Sequence, residues 1–272
     1  MRGADGSRKG NLMTFHLTSN WLSALEIVTV LLVACAIGYW IGSRKVGAPD
    51  TLRSLVSVIG AATLGLLGLL LAFTLSMVID RWDARREVII NDANAIGTLW
   101  LRAGLLEEPL RGELRDALLE YTDARIVLSG SGGDRDAVRA ARSKSEMLHD
   151  TIWSAVQRAN RPGINPATLF SLITAANELI DIHELRHASI ENMLPTRVSL
   201  VLLGVAAIAL AFIAWSFGAA SQRGYPAMLL LVLLISAILL LIMDFNRPQR
   251  GRIEVGFAAL ERVRDSMAVP RP

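Results

Sequence analysis

The chain has 272 residues, of which 52% are hydrophobic and only 19% are charged. This composition excludes an ordinary soluble domain and is typical of a membrane protein. The formal net charge is +3 and the only cysteine is Cys35, which argues against a basic face for nucleic acid and excludes any site built from several cysteines.

Four charge-poor stretches are long enough to cross a bilayer core of about 30 Å, which requires a helix of roughly 20 apolar residues. The first runs from about Trp21 to Ser43 and contains a single acid, Glu26. The other three lie between charged residues: Arg53 to Asp80, Arg197 to Arg223, and Arg223 to Asp244. We therefore predict an all-α, polytopic membrane protein with four transmembrane helices.

A polar insert, residues 80–196, separates the second span from the third and contains 14 basic and 18 acidic residues. Ile89, Ala93, Ile96 and Trp100 recur at three- and four-residue spacing, which predicts that the second span continues as a long helix. Three more helices are expected. Pro109 opens the first, which Gly130-Ser131-Gly132-Gly133 ends, Asp134 caps the second, and Asn165–Pro166 opens the third, which reaches Asn192. The insert is thus predicted to be a helical domain.

Four spans place both termini and the insert on one side of the membrane. Basic residues near the membrane on that side outnumber those on the other side: Arg8, Lys9, Arg81, Arg85, Arg86, Arg186, Arg247, Arg250 and Arg252 against Arg44, Lys45, Arg53 and Arg223. By the positive-inside rule, that side is cytoplasmic. The predicted order is a cytoplasmic segment (1–20), spans one and two (21–79), a cytoplasmic helical domain (80–196), spans three and four (197–245) and a cytoplasmic tail (246–272).

One motif has the form of a zinc site. His183, Glu184 and His187 have H-E-x-x-H spacing, which on a helix places two imidazoles one turn apart with a glutamate as general base. Arg186 lies between these residues, and Glu191, the nearby acid, is on the same helix, whereas a third ligand normally comes from another element. We interpret the motif as a coincidence on a solvated or interfacial helix face and predict no metal and no cofactor. A zinc peptidase is the third hypothesis for function.

The second span carries two stripes at four-residue spacing. Gly65, Leu69 and Phe73 form the first stripe, and the small residues Gly68, Ala72 and Ser76 form the second. Small residues at this spacing let helices approach closely in lipid. By itself the pattern indicates a helix-packing face.

The stretch Leu71–Trp82, followed by Arg85 and Arg86, resembles the second transmembrane helix of the bestrophin anion channels, in which an apolar neck precedes an Arg–Trp pair at the cytoplasmic membrane face. The runs Asn91–Thr98 and Asp244–Gly251 are similar to those of the bacterial bestrophin-like membrane family. The layout of four spans, a helical insert and two cytoplasmic termini agrees with this family over most of the chain.

The resemblance implies a homo-oligomer, a pentamer in bestrophins, that surrounds a pore in the bacterial inner membrane. Counting back from the Arg–Trp pair puts the pore neck on Gly65, Leu69 and Phe73, although the family has a bulky residue where Gly65 stands. Arg81, Arg85 and Arg86 are predicted to form a basic cytoplasmic pore mouth, and the alternative is that they anchor the helix at the membrane interface and pair with Asp80, Asp83 and Glu87. The acidic run that binds calcium in animal bestrophins is missing, so no calcium activation is expected.

The leading hypothesis is therefore an anion-selective, chloride-conducting channel and not an enzyme. Its expected partners are membrane lipids, further copies of the same chain and small inorganic anions, with no nucleic acid. The alternative is a non-conducting membrane scaffold or sensor whose cytoplasmic helical domain binds a partner.

Overall fold

The computed structural model describes residues 20–130, 135–222, 224–246 and 256–268. These residues form eight α-helices: α1 (Asn20–Ser43), α2 (Asp50–Ala103), α3 (Leu110–Gly130), α4 (Arg135–Ala159), α5 (Pro166–Glu191), α6 (Thr196–Ala219), α7 (Tyr225–Phe245) and α8 (Ala258–Ala268). The predicted all-α class is thus confirmed. Several residues used in the predictions lie outside the described ones: segment 1–19, the segment from Ser131 to Asp134, Arg223 and the run from Arg247 to Arg252.

Four of the helices have the length and apolar composition needed to cross a membrane, namely α1, α2, α6 and α7. They contain the four predicted spans. α2 continues without a break for 54 residues, so the predicted extension of the second span into the polar insert is confirmed. The insert between α2 and α6 is helical, as expected, with α5 capped by the Asn165 side chain, which accepts a hydrogen bond from the Ala167 N–H.

The chain divides into two compact units, the first of which comprises residues 1–68 and 201–240. In this unit α1 and α6 approach closely because glycines of α1 lie against backbone of α6. A Cβ atom built on Gly38 would collide with the Ala211 carbonyl oxygen, and one built on Gly42 would collide with that of Trp215. Small residues provide this proximity in lipid, where helices gain little from hydrophobic burial against each other.

The second unit comprises residues 69–200 and 241–272 and has a large apolar core. The part of α2 that extends beyond the apolar span contributes Ile89, Ala93, Ile96 and Leu99 to this core, together with buried leucines, isoleucines and alanines of α3, α4 and α5. The predicted three- and four-residue spacing on α2 therefore marks a buried face. This burial on several helices provides the main stabilisation of the unit.

Helix α8 was not expected from the sequence, which we interpreted there only as a cytoplasmic tail. Leu260 and Met267 of α8 are buried in the core of the second unit. The Arg264 side chain donates hydrogen bonds of 2.6 and 3.3 Å to the two oxygens of Asp123 on α3. The end of the described chain thus returns to the helices of the insert and packs on them.

Candidate pore face and buried polar cluster

Residues spaced by seven along α2 have consistent exposure because seven residues make almost two helical turns. Leu71, Val78, Arg85, Asp92 and Leu99 are all buried. On the opposite side of the helix, exposed residues include Phe73, Asp80, Glu87 and Asn94. Helix α2 therefore has one side packed against its own chain and one side that its own chain leaves uncovered.

The predicted neck residues lie on the uncovered side. Leu69 is 53% exposed and Phe73 is 65% exposed. No described atom lies within 4 Å of a Cβ built on Gly65 or on Gly68. Ala72 and Ser76 of the predicted packing stripe are exposed as well. Both stripes are thus free to meet lipid, water or another copy of the chain.

The exposed residues on the uncovered side of α2 change from apolar to acidic where the apolar run of the helix ends. Asp80 follows Phe73 by seven residues, Glu87 follows Asp80 by seven, and both are exposed, as is Asp83. Asp80 and Glu87 lie on nearly the same line of the helix as Phe73. The continuation of this uncovered line of α2 beyond the apolar run therefore carries negative charge.

The three arginines predicted at a cytoplasmic pore mouth have different environments. Arg85 is only 5% exposed, and its Nη2 donates a hydrogen bond of 2.9 Å to the carbonyl oxygen of Phe245 at the end of α7. Arg81 is half-buried and Arg86 is exposed. A pore-mouth role remains a prediction, and of the three side chains only that of Arg86 is exposed.

A buried charged cluster joins α2, α3 and α5. The Asp92 carboxylate accepts hydrogen bonds from Arg125 Nε at 2.8 Å and from Arg186 Nη1 at 2.9 Å, all on its Oδ2 atom. Arg125 Nη2 is also 2.8 Å from this oxygen, close enough for an ion pair but without hydrogen-bond geometry. Two guanidinium groups thus share one carboxylate in an almost solvent-free site, and burial together with repulsion from Arg125 lowers the pKa of Arg186 to about 10.

Aromatic and imidazole groups extend this cluster. Arg125 Nη1 lies 3.0 Å from His183 Nδ1, and since a guanidinium can only donate, that nitrogen accepts. The centroids of the His149 and His183 rings are 4.3 Å apart, and His149 Nε2 lies 3.2 Å from the hydroxyl oxygen of Tyr121. Burial lowers the pKa of His149 and raises that of Tyr121.

The H-E-x-x-H motif is part of this buried cluster. His183 and Arg186 are buried, so the helix face that we expected to be solvated or interfacial is packed against α2 and α3 instead. Among the described residues no group of three metal-ligand side chains occurs. The His187 side chain lies outside the described part of the chain. Sequence reasoning missed the pairing of Asp92 with Arg125 and Arg186, although Asp92 occupies a line of α2 otherwise formed mainly by buried apolar residues.

Comparison with known proteins extends these observations. A family model described as a bestrophin-like domain matches residues 24–260. A crystal structure of a bacterial bestrophin homolog from Klebsiella pneumoniae superposes with a TM-score of 0.68 at 12% sequence identity and covers 92% of this chain and 97% of that chain. A single-residue variant of that homolog gives a TM-score of 0.67 at 12% identity, with 91% and 97% covered. No curated protein matches the sequence significantly.

Proposed function

Because the chain belongs to the bestrophin-like family, a family of membrane channel proteins, we propose that it forms an oligomeric ion channel whose pore is lined by α2. The observation that best supports this function is the uncovered side of α2. Large apolar side chains at Leu69, Phe73 and Met77 are exposed along one line of a membrane-spanning helix. Around a central axis, this line would face the axis and form the wall of a pore.

The neck would be narrowest at Phe73. A ring of phenylalanine side chains excludes water from a narrow passage, and it presents the positive edges of the rings to an anion. Gly65 has no side chain, so the outer end of the neck would be wider than a ring of bulky residues allows. Gly68, Ala72 and Ser76 would let the α2 helices of adjacent copies approach each other closely.

The assembly would be a homo-oligomer, a pentamer as the resemblance implies, in the bacterial inner membrane. The insert and both termini would lie in the cytoplasm, where the positive-inside rule places them. Native mass spectrometry of the detergent-purified protein measures the number of copies. A stoichiometry below three contradicts a central pore lined by α2, because such a pore needs several helices around it.

Small inorganic anions, chloride among them, are the proposed permeant ions. Arg86, exposed at the cytoplasmic end of the neck, would attract them. A cation-selective pore is the second candidate, because Asp80 and Glu87 lie on the same line of α2 as Phe73 and are exposed. Rings of acidic residues favour cations in pores.

The proposal is tested by recording currents from the purified oligomer in planar bilayers with a KCl gradient. Phe73→Ala is expected to change the conductance severalfold because it removes the constriction. Phe170→Ala, at an exposed phenylalanine of α5, serves as the matched control and should conduct like the unmodified protein. If well-folded oligomers pass no current in either form, the channel proposal fails and the non-conducting scaffold becomes the better explanation.

The reversal potential in the same gradient distinguishes the two selectivities. A shift toward the chloride equilibrium potential supports anion permeation. If the reversal potential shifts toward the potassium equilibrium potential instead, Glu87→Gln should make this shift smaller, because the substitution removes one ring of negative charge. A potassium-selective current that Glu87→Gln leaves unchanged contradicts the proposed role of this line of α2.

A further inference from the structure

A groove opens between α1 and α7 on the surface of the first compact unit, and we call it the α1–α7 groove. Its volume is about 430 Å³, which is typical of a pocket for a small ligand, and its lining residues are apolar apart from two tyrosines. Cys35 of α1 and Met228 and Val232 of α7 form its floor and are at most 7% exposed. Leu32 and Leu229 form its rim and are 42% and 49% exposed. The groove is therefore a concave space that is open to its surroundings.

The groove extends along the two helices from a tyrosine pair into the apolar part of the spans. Tyr39 is one turn before the end of α1 and Tyr225 is the first residue of α7, and their ring centroids are 5.4 Å apart. Leu32 precedes Tyr39 by seven residues, which places it about 10 Å deeper along α1. Val232 follows Tyr225 by seven residues and lies equally deep along α7. Because both helices are long and apolar enough to span a bilayer, the deep end lies in the hydrocarbon and the tyrosines lie at the level of the headgroups.

The surroundings of the groove indicate what fills it. Val33 and Leu230, the chain neighbours of the two rim residues, are also exposed and apolar, so the groove is continuous with a surface that faces lipid chains. Water is a poor occupant, because an apolar cavity offers it too few hydrogen-bond partners. An empty groove would deprive its lining side chains of dispersion contacts. An apolar molecule from the membrane therefore suits the groove best.

The size of the groove favours a lipid chain over a helix of another copy. A helix is about 10 Å across, so about 10 Å of its length occupies roughly 800 Å³, which is far more than the groove holds. An extended acyl chain is a single row of CH₂ groups and is narrow enough to lie along the groove. Its ester oxygens would then be at the level of the tyrosines, whose hydroxyl groups can donate hydrogen bonds.

We propose that the α1–α7 groove binds one acyl chain of a membrane phospholipid, with the ester group of that acyl chain beside Tyr39 and Tyr225. The acyl chain covers the buried floor and contacts both helices where they leave a gap. The site is formed by α1 and α7 and not by α2, so it does not depend on the proposed pore or on whether the protein conducts ions.

The test is photolabelling of the whole protein in liposomes that contain a phosphatidylethanolamine with a diazirine in the middle of one acyl chain, followed by mass spectrometry of the peptides. Adducts are expected on Cys35 and Met228, because these floor residues are buried by the protein itself and are reached from inside the groove. Ala36→Phe, at a lining position, should fill the groove and lower the yield of these adducts severalfold. Val33→Phe, at an exposed position of the same helix, is the matched control and should be labelled like the unmodified protein.

Each outcome of this experiment decides the proposal. Floor adducts that Ala36→Phe reduces and Val33→Phe does not reduce support the phospholipid site. Adducts confined to exposed residues of the unmodified protein, such as Leu230, overturn it, whether the groove is empty or covered by a second copy, and this result needs no variant to fold. Floor adducts of equal yield in Ala36→Phe also overturn it, because the acyl chain then reaches the floor by another route.

A parallel labelling with a free fatty acid that carries the same diazirine identifies the source of the acyl chain. Floor adducts from the phospholipid support the proposal as stated. Floor adducts from the fatty acid alone retain a site for an apolar chain but overturn the phospholipid as its ligand.

Discussion

Asp92 is the residue on which the buried cluster depends, because it is the carboxylate that both Arg125 and Arg186 contact. A buried ion pair adds little net stability compared with apolar packing, since removing charges from water costs about as much as their attraction returns. Removing one partner is different, because the remaining charge is then buried without compensation. The cluster is therefore expected to specify how α2, α3 and α5 pack together.

Asp92→Asn is expected to lower the free energy of unfolding by about 3–5 kcal/mol, because it leaves two buried guanidinium groups facing a neutral amide. The measurement is thermal or denaturant unfolding of the purified protein. Asp123→Asn, which breaks the exposed ion pair with Arg264, is the control and should cost at most about 1 kcal/mol. Equal losses in the two variants would contradict the role given to burial.

His149 makes stability depend on pH. Burial lowers its pKa below the usual 6.5, and Arg125 lowers it further, while Asp92, Asp150 and Glu184 act in the opposite direction. The unfolded chain therefore binds a proton at a higher pH than the folded chain. The contribution of His149 to the free energy of unfolding is therefore fully present above about pH 6.5. It is lost as the pH decreases from there through the lowered pKa of the folded state.

Melting temperatures between pH 7.5 and 5 check this expectation. His149→Gln should flatten the decline toward acidic pH, since the titrating imidazole is gone. Arg142→Gln, at an exposed position of the same helix, should keep the slope of the unmodified protein. An unchanged slope in His149→Gln would falsify the assignment of this titration to His149.

At the scale of the elements, α2 combines two environments in one helix. Its seven-residue lines separate a buried side, which includes Arg85 and Asp92, from an exposed side that includes Phe73 and Glu87. The sequence predicts the helix well because apolar residues recur at helical spacing. It predicts the buried side poorly, because an arginine and an aspartate stand at positions where periodicity alone expects apolar side chains.

The contact between α1 and α6 gives a test at the same scale. Gly38→Ala should destabilise the protein, because its new Cβ atom meets the Ala211 carbonyl oxygen and the helices must separate. Gly204→Ala, also in a spanning helix, meets no described atom within 4 Å and should be neutral or stabilise by roughly 0.5–1 kcal/mol through helix propensity. Thermal unfolding of both variants in detergent provides the comparison, and equal behaviour would contradict the close contact.

At the scale of the whole molecule, the four spans and the charge distribution predict which parts face the cytoplasm. Val46 lies in the exposed loop between α1 and α2, and Met147 is exposed on α4 of the insert. With the single native cysteine replaced (Cys35→Ala), Val46→Cys should react with a membrane-impermeant maleimide on intact spheroplasts. Met147→Cys should react only after permeabilisation, and the reverse pattern would invert the topology.

The sequence by itself determined the all-α class, the four spans, the helical insert and the family resemblance, because these follow from local periodicity, apolar length and short motifs. It also placed Gly65, Leu69 and Phe73 on one stripe of α2, since such a stripe is a property of a single helix. Only the tertiary structure decided that α8 packs on α3, that Asp92 pairs with Arg125 and Arg186, and that Arg85 turns toward α7. These contacts join residues from about 30 to 160 positions apart, and no local pattern encodes such separations because they form only when several helices pack together.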